Sequence, residues 1–421
     1  VTSTPNGQPL PLSGIRVIDY SHFLAGPHMS RCLAAMGADV IKVERPETGD
    51  AGRQHPYFKD GQSAYFLQQN MGKRGLCINI KDPRGLDLMK RLVRSADVFV
   101  ENYRPGALTK LGLGYDDLAQ ENGRLVYCSV SAYGHTGPDS ARPGFGLIAE
   151  AKSGAMAQLG FPGEAPPLLR MPLADMYTGM HGVAAICAAL LGRANTGKGQ
   201  HIDLALYDCV VSMHDYAVQQ YLFSDGAVLP RQTGSDQPES TVYGVFTAKD
   251  GRHLVIAAQV DDAWTRLARL IGGEALAADT RFHGQQNRND NREAALALVK
   301  AWTASRSSGD CLAALDDAGV PGALVQNIGE VVHDPQIIAR NMIIEQDHPI
   351  LGRVKLPNLP FRFSDSDTTP RMAAPLLGQH NAAIAGELGF SDREIEQMTA
   401  DGVLFSETGP DAGDDARKAP V

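Results

Sequence analysis

No two cysteines in this sequence are spaced for a dithiol or a zinc site, so redox and structural-metal chemistry lack their usual carriers. The six present, Cys32, Cys77, Cys128, Cys187, Cys209 and Cys311, lie far apart and mostly in apolar runs, as reduced core thiols do. The 12 histidines show no HExxH or other compact ligand spacing, and no metal site is expected. Positive charge is in deficit: a formal net charge of −9 leaves no footprint for nucleic acid. The longest apolar stretch, around Val183 to Leu191, is flanked by glycines and falls short of the ~20 residues a membrane span needs. The opening residues have neither a basic n-region nor an apolar h-region, so a cytoplasmic protein is expected.

Three common signatures are missing too. No GxGxxG follows the first β-rich run, and no GxSxG elbow occurs. Gly192 to Lys198 fits most of a Walker A pattern, but Gly199 stands where a Ser or Thr should bind magnesium. A helical pattern also precedes that loop where a strand is required, so it reads as a helix-to-strand turn.

What is present is ordinary globular composition, 43% hydrophobic and 21% charged, over 421 residues, enough for two domains. Segments 15–21, 38–44, 76–80, 97–102 and 124–131 read as strands, separated by helical patterns. In one of these Leu86, Leu88, Met89, Leu92 and Val93 share a face, with Pro83 in its first turn. Such alternation predicts an α/β fold with a Rossmann-like parallel sheet. Residues 146–192 read as helical throughout, and 201–213 as a strand running into a helix. Asp250-Gly251 between two apolar runs predicts a hairpin, inside a smaller α+β domain over 225–330. Beyond it come a proline-punctuated extended stretch and two helices, the second opened by a Ser391/Glu394 capping box. Residues 406–421 are polar and expected to be disordered.

The chemistry-bearing residues cluster after the strands. Ser21 to Pro27 follows the first, and its small residues open a helix whose backbone N–H groups suit an anion. Lys42 to Pro46 with Gly49-Asp50, Lys73-Arg74 and Glu101 to Gly106 add basic and polar groups. In a parallel sheet these loops are expected at the carboxyl ends, where ligands bind, and converging basic side chains suit a multiply phosphorylated ligand or, equally, a solvated rim. Asp175 precedes a long small-residue helix. It is either its N-cap or a catalytic carboxylate, and the two roles are compatible.

These residues, in this order, resemble the class III (family III) coenzyme A transferases. The resemblance runs through Gly14–Asp19, His22 with Ala25–Pro27, Gly37–Arg45, Asn70–Arg74, Val100–Gly106, Ala174–Gly179, Gly197–Asp203 and Leu377–His380. It implies a large domain built from residues 10–224 and 331–405, a small domain at 225–330 between them, and two subunits interlocked as a homodimer. It implies that Asp175 is the nucleophile, and that His22, Ala25, Arg45, Asn102 and Lys110 hold CoA, with Lys73 and Arg74 as further candidates. CoA thioesters and carboxylic acids would be the substrates, with no separate cofactor. Formyl-CoA transferases have a Gln where Leu24 stands, a Lys where Ser131 stands and a glycine run where Thr233–Ser240 stands. A succinyl-CoA-type donor is therefore expected. Two alternatives are an acyl-CoA racemase and a non-catalytic CoA-binding protein. The racemases of this superfamily carry Gly-His-Asp where this chain has Gly144-Phe145-Gly146.

Overall fold

The computed structural model describes residues 9–407, which divide into two compact units. The first takes the described residues up to Ala155, then Leu169–Asp215, then those from Gln336 onward; the second takes Met156–Leu168 and Tyr216–Pro335. The tail expected at 406–421 lies, from residue 408 on, outside the described residues.

In the first unit the chain runs β1 (Arg16–Tyr20), α1 (Ala25–Ala35), β2 (Asp39–Glu44), a short hairpin of β3 (Phe58–Lys59) and β4 (Gln62–Ser63), then α2 (Ala64–Asn70). It continues through β5 (Arg74–Cys77), α3 (Pro83–Arg94), β6 (Val98–Glu101), α4 (Tyr115–Glu121) and β7 (Val126–Ser131). After α5 (Gly146–Lys152) and α6 (Leu173–Thr196) come β8 (Gln200–Ala205) and α7 (Leu206–Met213). Six of these strands form one sheet in the order β5-β2-β1-β6-β7-β8, all parallel, with Ile18 facing Ile41 on one side and Phe99 on the other.

Alternation along each strand explains both cores. Val17, Val98 and Val126 point to α1, α6 and α7, meeting Met29, Leu33, Ile186 and Val210. Ile18, Phe99 and Tyr127 point to the other face, meeting Leu88 and Leu92 of α3. Each fully buried side chain of this size contributes about 1.5–3 kcal/mol through the area it removes from water.

The second unit contains β9 (Tyr243–Thr247), β10 (His253–Ala257) and β11 (Gly322–Leu324), an antiparallel sheet in the order β11-β10-β9. Gly251, at φ 78°, supplies the left-handed turn residue between β9 and β10. Helices α8 (Ala217–Phe223), α9 (Asp261–Ala277), α10 (Gln285–Asp290), α11 (Arg292–Ala304), α12 (Ser308–Asp317) and α13 (Ile328–Val331) accompany it. Phe246, Trp264, Phe282 and Val299 form its core.

After α14 (Pro335–Ala339), part of the expected proline-punctuated extended stretch forms β13 (Gly352–Pro357), paired as a hairpin with β12 (Ile343–His348). Its Ile344 and Leu356 pack on Phe66 and Met71. Helices α15 (Asn381–Glu387) and α16 (Asp392–Ala400) then bring Ile384, Ile395 and Met398 onto the α3 face. Both chain ends thus build this unit.

One expectation fails clearly. Residues 146–192 are not one helical region: Gly154, Gly160 and Gly163 all take positive φ, and the segment from Met156 leaves for the second unit before α6 begins. Prolines at 162, 166 and 167 deny that segment helical hydrogen bonds, which the apolar composition around it concealed. Helix α6 itself is long and apolar enough by length and composition to cross a membrane, but its Gly179, Gly182 and Ile186 are buried within the unit.

Candidate active site

The sheet order reverses between β1 and β6, so the loops leaving those two strands diverge to opposite sides and open a crevice at their carboxyl ends. Asn102, the first residue after β6, bridges it. Its Oδ1 accepts the His22 N–H at 2.8 Å and its Nδ2 donates to the His22 carbonyl at 2.7 Å, pinning the loop after β1 by both backbone groups. The His22 ring lies against Phe23 and Tyr103, and burial holds the imidazole below its ordinary value. Phe23, at φ 61°, donates its N–H to Asp50 Oδ1 at 3.0 Å.

Beneath this loop is a buried, electrically balanced network. Lys42 Nζ pairs with Asp50 Oδ2 at 2.7 Å and donates to the Ser21 carbonyl. Lys73 Nζ pairs with Asp19 Oδ2 at 2.8 Å and donates to Asn70 Oδ1 and the Pro27 carbonyl. Burial works to raise the Asp19 carboxyl, but Lys42 and Lys73 outweigh it and hold it below its ordinary value. Burial pushes Lys73 down to about 8 against the pull of Asp19. Two cations and two anions out of water remain tolerable because every one has a partner.

Asp175 enters from the opposite element. It sits in the first turn of α6, and the position before the helix is Pro172, so Asp175 is not the cap that its sequence position also allowed. On the same face one turn later is Gly179, where an added Cβ would lie 3.0 Å from the Ala25 carbonyl and 3.0 Å from the His28 ring. The absence of a side chain there lets α6 close on the start of α1. A Cβ at Gly146 would overlap Asp175 Oδ2, so the carboxylate rests on the backbone of α5. Phe145, just before it, meets the Phe23 ring edge-on at 6.2 Å.

Glu150, one turn along α5 from Gly146, is buried and accepts the Ala174 N–H at 3.1 Å. Burial, together with the Glu150 carboxylate, pushes the Asp175 carboxyl up to about 6. Tyr65 of α2 also feels Asp175: burial and the Asp175 and Asp50 charges raise its hydroxyl above its ordinary value. A partly desolvated carboxylate of raised basicity, set against the backbone of α5, is suited to nucleophilic attack.

The remaining sequence candidates separate into two groups. Ala25 opens α1 beside this crevice, Arg45 is exposed at its rim with Nε donating to the Gly49 carbonyl at 3.3 Å, and Lys110 is exposed in the turn after β6. Lys73 and Arg74 are not brought there. Lys73 is consumed by Asp19, as Lys42 is by Asp50, and the Arg74 guanidinium reaches Asp39 and Glu387 at the amino end of β2. Lys73 immediately precedes β5 and Arg74 is its first residue, so they lie at the amino end of that strand and do not belong to the carboxyl-end set. Glu101, buried at the end of β6, is pushed up to about 7 by burial and lines a cavity of about 260 Å³ with Arg104, Thr109, Tyr115, Ser129 and His201. Neither Glu150 nor Tyr65 was singled out from sequence. The available signal for Glu150 was a lone acid four residues after Gly146 in a run of small and apolar residues.

Comparison with known proteins places nearly the whole chain among relatives of one kind. Residues 12–381 match the family described as CoA-transferase family III. The chain is 34% identical to the succinyl-CoA:glutarate CoA-transferase of Mus musculus, over 94% of this chain and 90% of that one. It is also 34% identical to the succinyl-CoA–D-citramalate CoA-transferase of Chloroflexus aurantiacus, over 94% and 98%. The crystal structure of a CAIB/BAIF family protein from Brucella suis superposes with a TM-score of 0.80 at 38% identity, covering 90% of this chain and 100% of that chain.

Proposed function

The chain belongs to CoA-transferase family III and has that family's general activity; from that premise we propose that it moves CoA from succinyl-CoA to a second carboxylic acid through a covalent thioester on Asp175. The observation that carries the reading is the Asp175 carboxylate, set on Gly146 with its carboxyl pushed up to about 6 and its helix closed on the start of α1.

In the proposed sequence an Asp175 oxygen bonds to the donor's thioester carbon, the C–S bond breaks, and CoA departs as thiolate. The thiolate sulfur then attacks Asp175 Cγ, releasing the donor acid as carboxylate and leaving an aspartyl-CoA thioester. The acceptor carboxylate attacks that thioester, and the returning thiolate completes acceptor-CoA and frees Asp175. Splitting one exchange into these steps is how a carboxylate nucleophile lowers the barrier. His22, Ala25, Arg45, Asn102 and Lys110 hold CoA in this reading, the two exposed cations serving its phosphates. The donor is supported by the names of the relatives, and a dicarboxylate acceptor likewise. An interlocked homodimer in the cytoplasm completes the proposal.

Intact-protein mass spectrometry after incubation with succinyl-CoA tests it. Wild type is expected to gain the mass of CoA as a thioester, and hydroxylamine to replace it with a hydroxamate mapped to Asp175; Asp175→Ala should show neither. Turnover that survives Asp175→Ala would overturn the reading and favour α-proton exchange.

A further inference from the structure

We infer that Glu150 is a positioning residue for this reaction: held by the Ala174 N–H one helical turn from Gly146, it keeps a second negative charge beside Asp175 and so favours every state in which Asp175 is acylated. The inference rests on the reading of Asp175 as the acyl-accepting carboxylate, and it concerns a residue that does not itself touch the reacting atoms.

The geometry makes the two carboxylates neighbours by construction. Gly146 and Glu150 are four residues apart on α5, hence on one face, and the Asp175 carboxylate rests on the first while the second grips the residue before Asp175. Glu150 is only 3% exposed, so water screens this pair poorly. Three titratable groups on the elements packed around the first turns of α6 are neutral near pH 7. His28 of α1 is pushed down to about 4 by burial and Arg31, the Cys209 thiol of α7 is raised by burial, and the Tyr65 hydroxyl of α2 is raised as well. Among the described residues, Glu150 is the charged side chain that acts on Asp175.

The consequence follows from charge balance. When Asp175 attacks the donor, one C–O bond forms, one C–S bond breaks, and the negative charge leaves on the CoA sulfur; the resulting anhydride is neutral. When the thiolate returns, the charge departs on the donor carboxylate, and the aspartyl thioester is neutral too. The repulsion between the Asp175 and Glu150 anions therefore exists in the free enzyme and vanishes in both acylated forms. Like charges that share a site resist double ionisation, which also makes the Asp175 oxygens more basic.

Glu150→Gln keeps an oxygen for the Ala174 N–H and removes the charge. It is expected to shift the ascending limb of the kcat/KM pH profile about one unit lower, and to reduce the equilibrium fraction of aspartyl-CoA seen by mass spectrometry about tenfold, one pKa unit being a factor of ten. A limb that stays in place with an unchanged adduct fraction would overturn the inference and leave Glu150 as a hydrogen-bond acceptor only. The limb position does not depend on how much of the variant is folded, so it stays readable if Glu150→Gln loses stability. Failure of the underlying reading looks different: the adduct would then persist in Asp175→Ala, whatever Glu150→Gln does.

Discussion

Asp175 shows how a single side chain is tuned by what surrounds it. Burial and Glu150 lift its carboxyl to about 6, and attack requires the ionised form, so activity is expected to rise with pH through about 6. A plot of kcat/KM against pH with its ascending limb near the ordinary carboxylate value, about 4, would contradict this. Asp175→Asn retains shape but has no nucleophilic oxygen anion, and turnover should fall by about a thousandfold or more in steady-state assays. Asn102 illustrates the opposite kind of residue, one that arranges backbone. Its two hydrogen bonds to His22 are worth about 1 kcal/mol each, so Asn102→Ala should raise the KM for the acyl-CoA about tenfold and change kcat less.

Between elements, the deciding quantity is space. Gly146 and Gly179 lack side chains where α5 supports Asp175 and where α6 meets α1. Gly146→Ala should displace the Asp175 carboxylate and cost about a hundredfold in kcat, the usual penalty for misplacing a reacting group by about 1 Å, while thermal melting moves little. The charges that join β1, β2 and the segment before β5 set a different test. Lys73→Met leaves Asp19 only the more distant Lys42, at 3.7 Å, as a charged partner in the interior, and urea unfolding should report a loss of about 3 kcal/mol. Asp19 and Asp50 both titrate below their ordinary values when folded. Their contribution is therefore present above about pH 4 and is lost as pH falls through their folded values.

For the whole molecule, the sheet depends on residues far along the chain. Cys77 donates its N–H to Asn381 Oδ1 at 2.8 Å, Asn79 donates to the Val403 carbonyl at 2.8 Å, and Ile384 and Met398 close the α3 face. A chain ending at residue 335 leaves that face uncovered, and its circular-dichroism melt should lose its cooperative transition.

The strands before residue 131, the helix from Pro83, the Asp250-Gly251 hairpin and the Ser391 cap were legible because each is a local pattern: apolar period, fixed proline φ, left-handed glycine, reciprocal cap bonds. The role proposed for Asp175 rests, on the sequence side, on the order of motifs around it. Three matters belonged to tertiary structure alone. Lys42, Lys73 and Arg74 looked like ligand-binding cations because sequence states a charge and not its partner, and folding supplied Asp50, Asp19 and Asp39. The break after Lys152 was hidden because small apolar residues suit both a helix and the loop that leaves it. Glu150 became visible only once α5 and α6 packed, since a pair 25 residues apart has no period; the sequence determined which groups exist and their local shape, and through-space burial decided which charges meet and how strongly they act.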